Sequence, residues 1–256
     1  MAQPLDSRTY DKRVRADFSR AANHYDVHAT LQRDVVDATY PSLLPRLTHD
    51  ASVLDAGCGT GYLARSLAEK YIGWRVFQLD SAEGMCRKAG KYTICGDMTQ
   101  LPLLDNSMDA IFSSLSLQWV SEPMTALREW YRVTKPRGFA AIATLGPATL
   151  RELRECQARA GVPESVLTFQ PLARLEDAAQ QTGWKILSSH ASLRRQIYDD
   201  TVALLRQLKG LGATAKDRSP LKPSQLNALI DIYQTRAEHG KNVYATYEIM
   251  TLLLAK

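Results

Sequence analysis

The residues that most clearly indicate a chemical function form a glycine-rich segment, Val53-Leu54-Asp55-Ala56-Gly57-Cys58-Gly59-Thr60-Gly61. An apolar strand is expected to end there, and Gly57 and Gly59 let a ligand approach the backbone because they lack a Cβ atom. A helix that follows the turn presents free N–H groups and a partial positive charge to an anion. The spacing is Gly-x-Gly-x-Gly, which differs from the Gly-x-Gly-x-x-Gly of dinucleotide-binding proteins.

The acid in front of these glycines indicates the charge of the ligand. Asp55 would repel a phosphate, whereas it attracts an ammonium or sulfonium group. The segment therefore favours a ligand with a carboxylate for the turn and a cation for Asp55. S-adenosylmethionine has both groups and no phosphate.

Further polar side chains follow the later apolar runs, at the strand ends where open α/β sheets bind ligands. Asp80 ends the second run, 25 residues after Asp55, and is placed to accept hydrogen bonds from ribose hydroxyls. Asp97 and Met98 follow the third run and are candidates for contacting an adenine ring. The predicted cofactor-binding residues are Asp55, Gly57, Gly59, Gly61, Asp80, Ser81, Asp97, Met98, Ser113 and Leu115. A nicotinamide-dependent dehydrogenase and a turn without a ligand are the alternatives.

From residue 51 onward, short apolar runs alternate with amphipathic segments, which predicts a doubly wound α/β fold with a mostly parallel sheet. The predicted strands cover 51–57, 74–80, 92–97, 108–115, 138–145, 184–198 and 242–255. The predicted helices begin near 62 and 82 and cover 124–134, 148–160, 171–182, 200–209 and 223–239. Residues 8–40 are expected to form a helical arm that ends at Pro41 and Pro45.

The composition is that of an ordinary globular protein, since 45% of the 256 residues are hydrophobic and 23% are charged. The apolar run at 249–255 is much shorter than the roughly 20 residues of a membrane span, and the N-terminal residues lack the apolar core of a signal peptide. We therefore expect a cytoplasmic protein. No metal site is expected, because the four cysteines have no Cys-x-x-Cys spacing and His24 and His28 have no third ligand.

The net charge of +5 is concentrated in residues 185–222, which hold eight Lys or Arg residues and three Asp residues. A basic stretch raises the local concentration of an acidic partner, either a nucleic acid or an acidic protein. On composition alone, an ordinary solvated surface is an equal alternative.

The motifs between residues 50 and 146 resemble those of the class I S-adenosylmethionine-dependent methyltransferases. This resemblance implies a Rossmann-like, seven-stranded sheet whose last strand, expected at 242–255, is antiparallel, with S-adenosyl-L-methionine as cofactor and S-adenosyl-L-homocysteine as product. Several flanking segments are similar to the malonyl-acyl-carrier-protein O-methyltransferases of biotin synthesis: Phe18–Asp26, Leu31–Arg33, Leu117–Trp119, Ala126–Glu129 and Leu208–Thr214. The most discriminating of these is the last, because it lies outside the cofactor core.

The second resemblance implies methyl transfer to the free carboxylate of malonyl-acyl carrier protein, an acidic protein substrate. A carboxylate is ionised at neutral pH, so this reaction needs no general base. The implied domain organisation is an N-terminal helical arm or lid at 1–46 and a methyltransferase domain at 47–256. Within that domain the cofactor core covers 50–146, and a helical insertion with substrate- and carrier-binding elements covers about 147–225.

Five residues are assigned roles on this basis. Tyr25 on the arm is predicted to close over the methyl group, and Phe169 is predicted to form a wall of the same pocket. Arg151 is the candidate for orienting the malonyl carboxylate. Arg206 and Lys209, on the outer side of a predicted helix, are the candidates for contacting the carrier.

Two rival functions stay open at this stage. One is a class I methyltransferase that acts on a small molecule such as a quinone precursor, without dependence on a carrier protein. The other is a non-enzymatic module that binds RNA or protein through the basic stretch. The intact turn at Asp55–Gly61 and the presence of Asp80 argue against the non-enzymatic module, because such a module has no physical need of them.

Overall fold

The computed structural model describes residues 7–43, 47–211, 221–237 and 242–256. The helices of these ranges are α1 (Ser7–Ala21), α2 (Tyr25–His28), α3 (Thr30–Leu43), α4 (Tyr62–Lys70), α5 (Glu83–Ala89), α6 (Pro123–Val133), α7 (Arg151–Arg159), α8 (Leu172–Gln181), α9 (Thr201–Gly210) and α10 (Pro223–Gln234). The strands are β1 (Ser52–Ala56), β2 (Arg75–Asp80), β3 (Thr93–Cys95), β4 (Met108–Ser114), β5 (Thr134–Leu145), β6 (Lys185–Tyr198) and β7 (Val243–Ala255). A single 3₁₀ turn lies at Leu117–Trp119.

The described strands form one seven-stranded sheet in the order β3-β2-β1-β4-β5-β7-β6. β1 to β5 pair in parallel, whereas β7 runs antiparallel to both of its neighbours, β5 and β6. The predicted doubly wound sheet with an antiparallel strand at the C-terminal end of the sequence is therefore confirmed. The strand order reverses between β1 and β4, so the carboxyl ends of these two strands flank a crevice of the kind that holds ligands in open α/β sheets.

The central strands are buried on both faces of the sheet. Every residue of β1 is buried, as expected for a parallel strand that is covered on both faces of the sheet. On one face Leu63 of α4 and Val35 of α3 pack into the core, and on the other Trp130 of α6 and Leu175 of α8 do so. Full burial of such aliphatic side chains contributes about 1.5–3 kcal/mol each, which fixes the sheet that positions the strand ends.

Three boundaries differ clearly from the sequence-based expectation. α10 ends at Gln234, although the predicted helix continues to residue 239. α3 continues through Pro41 to Leu43, so the prediction that Pro41 ends the arm is wrong, while Pro45 lies outside the described residues. Tyr40 explains the continuation, because it is buried and its hydroxyl donates to the carbonyl of Ser113, and this packing outweighs the hydrogen bond that a proline removes. β5 begins at Thr134 rather than at residue 138, since Thr134 pairs with Met108 ahead of a register shift in β4.

The described part of the chain contains neither a membrane-spanning helix nor a group of metal-binding side chains. None of its helices is both long and apolar enough to cross a membrane. In the same ranges, no three His, Cys, Asp or Glu side chains lie together in a group that would hold a metal ion.

Candidate active site

The glycine-rich segment forms a sharp turn between β1 and α4. Gly57, Gly59 and Gly61 have φ angles of 81°, 55° and 83°, a backbone region that favours glycine. A Cβ atom on Gly57 would lie 2.3 Å from the Cβ of Ser116. The backbone of the turn and the loop after β4 are therefore closer together than any other residue type at position 57 would allow.

A space of about 880 Å³, open to solvent on one side, lies beside this turn, and we call it the glycine-turn cavity. Its walls come from the carboxyl ends of β1, β2 and β4 and from the N-terminal arm. The predicted cofactor residues that line it are Asp55, Gly57, Gly59, Asp80, Ser81, Met98 and Leu115.

Two predicted cofactor residues lie behind this lining. Gly61 is buried against the side chain of Gln78, whose Oε1 would be 2.4 Å from a Cβ atom at position 61. Ser113 is fully buried, and its Oγ is 2.6 Å from the Oγ of Ser116, which does line the cavity. Both residues shape the cavity from behind.

Asp97 lies at the rim of the glycine-turn cavity, in an adjoining opening that it shares with Ser81 and Met98. Its Oδ2 accepts a hydrogen bond from Nη2 of Arg15 at 2.6 Å, and its Oδ1 accepts two from Thr99. Partial burial raises the pKa of Asp97, but the Thr99 hydrogen bonds and the Arg15 charge outweigh it and hold the pKa below the ordinary value. This carboxylate therefore joins the arm to the sheet.

Asp55 and Asp80 set the electrostatics of the glycine-turn cavity. Asp55 is 1% exposed, and its Oδ2 has no hydrogen-bond partner. Burial, reinforced by the nearby charge of Asp80, raises the pKa of Asp55 to about 7. Asp80 accepts the N–H of Gly59 at 2.9 Å and that of Ala82 at 2.8 Å, and burial raises its pKa as well. Because an unpaired buried carboxylate is costly, the arrangement favours a cationic or hydrogen-bond-donating ligand.

Three of the aromatic side chains that line the glycine-turn cavity lie close together. Phe18 and Trp119 meet edge to face with ring centroids 5.0 Å apart, and the Tyr25 ring is 6.3 Å from that of Phe18. Burial, together with the charges of Asp80 and Asp26, raises the pKa of Tyr25. Its phenol therefore stays protonated at neutral pH and acts as an apolar wall or a hydrogen-bond donor, not as a base.

A second space, of about 730 Å³, adjoins the first, and we call it the apolar cavity. Five residues line both cavities: Phe18, Tyr25, Gln32, Leu115 and Trp119. Other walls of the apolar cavity come from distant parts of the chain, and they include Leu31, Leu150, Leu153, Val166, Phe169, Leu208, Leu211 and Tyr247. Among the described residues that line it, none carries a charge. Tyr25 and Phe169, predicted to share a pocket, thus both border the apolar cavity.

The predicted basic residues lie outside both cavities. Arg151 is exposed at the start of α7, and its Nε is 3.2 Å from Oε1 of Glu152. This placement does not support the prediction that Arg151 orients the malonyl carboxylate, because its guanidinium is directed to a neighbour on its own helix.

α9 combines an exposed basic side with a side that faces the apolar cavity. Arg206 and Lys209 are exposed, whereas Leu204 and Leu208 are buried, as the helical spacing predicts. Leu208 and Leu211 line the apolar cavity. The rest of the segment similar to carrier-dependent methyltransferases, residues 212–214, lies outside the described residues.

Several polar residues of the site are absent from the sequence-based predictions, and those that line the glycine-turn cavity include Asp26, Arg33, Thr60 and Ser114. Gln32 lines both cavities, and the similarity of Leu31–Arg33 to carrier-dependent methyltransferases is the signal that could have found it. Ser116 donates a hydrogen bond from Oγ to the carbonyl of Ala56 at 2.9 Å. No motif marks Ser116, because it follows the end of the predicted strand.

Comparisons with known proteins agree with this geometry. Residues 54–142 match the family described as a methyltransferase domain. The chain is 35% identical over 262 residues to the malonyl-acyl-carrier-protein O-methyltransferase of Halorhodospira halophila, across 96% of this chain and 88% of that protein. It is 39% identical over 212 residues to the enzyme of the same name from Serratia marcescens, across 78% of each chain. It is also 32% identical over 266 residues to a bifunctional biotin biosynthesis protein of Teredinibacter turnerae, across 96% of this chain and 47% of that protein.

Solved structures share the fold at low sequence identity. A candidate methyltransferase from Bacillus halodurans has a TM-score of 0.63 at 14% identity, across 87% of this chain and 99% of that chain. A phosphoethanolamine-type N-methyltransferase of Haemonchus contortus, solved with S-adenosylhomocysteine, has a TM-score of 0.52 at 18% identity, across 87% of this chain and 52% of that chain. At these identities the likeness establishes the fold alone.

Proposed function

This chain belongs to the malonyl-acyl-carrier-protein O-methyltransferase family, and from that premise we propose that it methylates the free carboxylate of malonyl-acyl carrier protein, with S-adenosylmethionine as donor. The product is the malonyl-carrier methyl ester that primes pimeloyl synthesis for biotin. The observation that carries this proposal is the junction of the two cavities. An acidic cavity on a glycine turn meets an uncharged apolar cavity at Tyr25.

The residues of the glycine-turn cavity fit S-adenosylmethionine. The unpartnered Oδ2 of Asp55 offers an acceptor to a cationic group, and each oxygen of Asp80 retains lone pairs beyond the one backbone N–H that it accepts. Gly59 leaves the backbone open to close approach, because the nearest atom to a Cβ at this position would be Cε1 of Tyr25 at 4.0 Å, and Met98 and Leu115 provide apolar surface. When bound, the cofactor supplies a methyl group on a positively charged sulfur, and its transfer to a carboxylate oxygen gives the methyl ester and S-adenosylhomocysteine.

The protein contributes positioning and exclusion of water. Phe18, Tyr25 and Trp119 line both the acidic cavity and the apolar one, so their rings provide apolar surface at the junction. A carboxylate acceptor is already ionised at neutral pH, which fits a site where Tyr25 stays protonated and no basic side chain lines the apolar cavity. Attack of an anion on a cation neutralises both charges, so an apolar junction favours the transition state over the separated ions.

The carrier protein is proposed to approach along α9. Arg206 and Lys209 on its exposed side suit an acidic surface, and Leu208 on its other side lines the apolar cavity. One helix therefore connects a basic surface to the wall of the acceptor site. This arrangement allows a thioester on the carrier to reach the cavity while the carrier itself stays outside.

Transfer of a labelled methyl group from S-adenosylmethionine tests the proposal. Malonyl-carrier should be labelled rapidly, and the label should be lost on mild alkaline hydrolysis because the product is an ester. Succinyl-carrier and free malonate serve as controls for chain length and for the carrier. Both should react at least about tenfold more slowly, since they lose positioned contacts with the acyl chain or with the carrier.

Two results would overturn the proposal. Equal labelling of free malonate and malonyl-carrier would remove the carrier from the recognition step. Labelling of a small molecule such as a quinone precursor, with none of malonyl-carrier, would make the chain a methyltransferase of different specificity on the same fold.

A further inference from the structure

We propose that Gln32 hydrogen-bonds the acceptor carboxylate at the junction of the two cavities and thereby selects substrates with a free acid. This inference rests on the function proposed above. It adds a specificity-determining residue, and it concerns the acceptor rather than the cofactor.

The position of Gln32 is the first support. It is the third residue of α3, next to Leu31, which is buried and lines the apolar cavity. Gln32 itself lines both cavities, together with Tyr25. A group on a substrate that passes from the apolar cavity toward the cofactor must therefore come close to Gln32.

The unsatisfied amide of Gln32 is the second support. Its Oε1 is buried without a hydrogen-bond partner, whereas buried polar groups are normally paired. Four other polar side chains of the apolar cavity have partners within the protein, namely Gln118, Thr149, Ser165 and Tyr247. Trp119 also interacts within the protein. Gln32 is thus the amide of this lining that has hydrogen-bonding capacity to offer to a substrate.

The chemistry of an amide suits this reaction. A glutamine amide carries two N–H donors and one acceptor, and rotation of the amide presents either to a ligand. An N–H bonded to a carboxylate is strengthened by the negative charge. A lysine or arginine would neutralise the nucleophile and place a second positive charge beside the methyl donor. A neutral donor positions the carboxylate and leaves its charge available for attack.

Methylation removes the charge of the acceptor, so the hydrogen bond from Gln32 differs in strength between substrate and product. The carboxylate that enters is an anion, and the ester that forms is neutral. A hydrogen bond to a charged group is worth more than one to a neutral group. Gln32 therefore holds the substrate more tightly than the product.

The test compares Gln32→Leu and Gln32→Glu with a matched control. Gln196→Leu is the control, because Gln196 on β6 also has a buried Oε1 without a partner but lines neither cavity. We expect kcat/KM for malonyl-carrier to fall about 10- to 100-fold in Gln32→Leu. It should fall further in Gln32→Glu, where two carboxylates would face each other. The Kd for S-adenosylmethionine, measured by calorimetry, should stay within about twofold in Gln32→Leu, and Gln196→Leu should match the wild type.

The outcomes separate this inference from the proposed function. If the wild type methylates malonyl-carrier and Gln32→Leu does so with unchanged kcat and KM, the role of Gln32 is refuted and the function stands. A weaker cofactor Kd with an unchanged KM for the acceptor would assign Gln32 to the cofactor and would also refute the inference. If the wild type does not methylate malonyl-carrier at all, the proposed function fails, and the inference fails with it.

Discussion

The two cavities of this protein meet at one set of aromatic side chains but are built in opposite ways. Most of the functional groups of the glycine-turn cavity lie on the ends of neighbouring strands and include two acids, the buried Asp55 and the partly buried Asp80. The apolar cavity is assembled from the arm, α7, the segment 165–169, α9 and β7, and its described lining carries no charge. The glycine-turn cavity is acidic and formed mainly by neighbouring strand ends, whereas the apolar cavity is uncharged and lined by residues from many parts of the chain.

This difference separates two tasks of a methyl transfer between ions. The acidic region suits a cationic donor, and the neutral region accepts an anion without pairing it to a cation. We expect the opposite charges of donor and acceptor to meet at the junction beside Tyr25, where aromatic rings provide apolar surface. Each region is expected to respond to substitution in its own way.

The largest effect is expected at the glycine turn. Gly57→Ala places a Cβ atom 2.3 Å from Ser116, so the turn must shift, and a displacement of this kind costs about 100-fold in turnover. The matched control is Gly161→Ala, where φ is +61° but no atom lies within 4 Å of an added Cβ. The control should lose only about 1–2 kcal/mol of stability from backbone strain, with kcat unchanged. Equal turnover in the two variants would show that the glycine turn is not part of the active site.

A smaller loss is expected where the two cavities meet. Tyr25→Ala opens the junction to water and should lower kcat roughly 30-fold, with only a modest change in the cofactor Kd. Tyr25→Phe keeps the ring and should retain most of the turnover, because the phenol is not required as a base. Full activity of Tyr25→Ala would show that the ring does not close the site, and collapse of Tyr25→Phe would show that the hydroxyl takes part.

The acidic region alone should give a pH-dependent cofactor affinity. Burial and Asp80 raise the pKa of Asp55 to about 7, so this carboxyl is mostly neutral at pH 6 and mostly ionised at pH 8. A cationic ligand binds the ionised form, and its affinity should therefore tighten about tenfold from pH 6 to pH 8. Calorimetry at both values measures this change. Asp55→Asn should bind more weakly and without that dependence, and a wild-type affinity that is flat across the range would contradict the assignment.

The smallest effect is expected on the exposed side of α9. Reversing both charges, Arg206→Glu with Lys209→Glu, should raise the KM for malonyl-carrier about fivefold at low salt, because each exposed ion pair contributes little. The KM for malonyl-pantetheine should not change, since it carries no protein surface. The control Lys70→Glu with Lys88→Glu makes the same charge change at exposed positions of α4 and α5. Equal effects in the two double variants would show that the change in KM depends on the net charge of the protein and not on contact with α9.

The sequence alone predicts the sheet and most of the glycine-turn cavity, whereas the apolar cavity is less predictable. The sheet, its antiparallel strand and the lining by Asp55, Gly57 and Asp80 are predictable because each depends on a short segment with its own periodicity or turn chemistry. Ser113 and Gly61 are predictable as members of the site region, but their place behind the lining depends on packing against Ser116 and Gln78, which no local pattern encodes.

The acceptor region shows the limit of such reasoning. Arg151 carries the expected charge, yet its place on α7 directs it to Glu152. Gln32 and Leu211 are far apart in the sequence and meet in one cavity only through the packing of α2 against α9, where Gln207 donates to the carbonyl of His28 at 3.0 Å. Contacts between residues this far apart in the sequence depend on tertiary structure. The residues that line the apolar cavity can therefore be identified only from the folded structure.

A crystal structure with S-adenosylhomocysteine and malonyl-pantetheine tests the central claim most directly, namely that donor and acceptor occupy the two cavities and meet at Tyr25. We expect the nucleoside beside Asp55 and Asp80, the acyl thioester in the apolar cavity, and the malonyl carboxylate at the junction within hydrogen-bond distance of Gln32. Density for the acyl chain outside the apolar cavity, with the nucleoside in place, would contradict it.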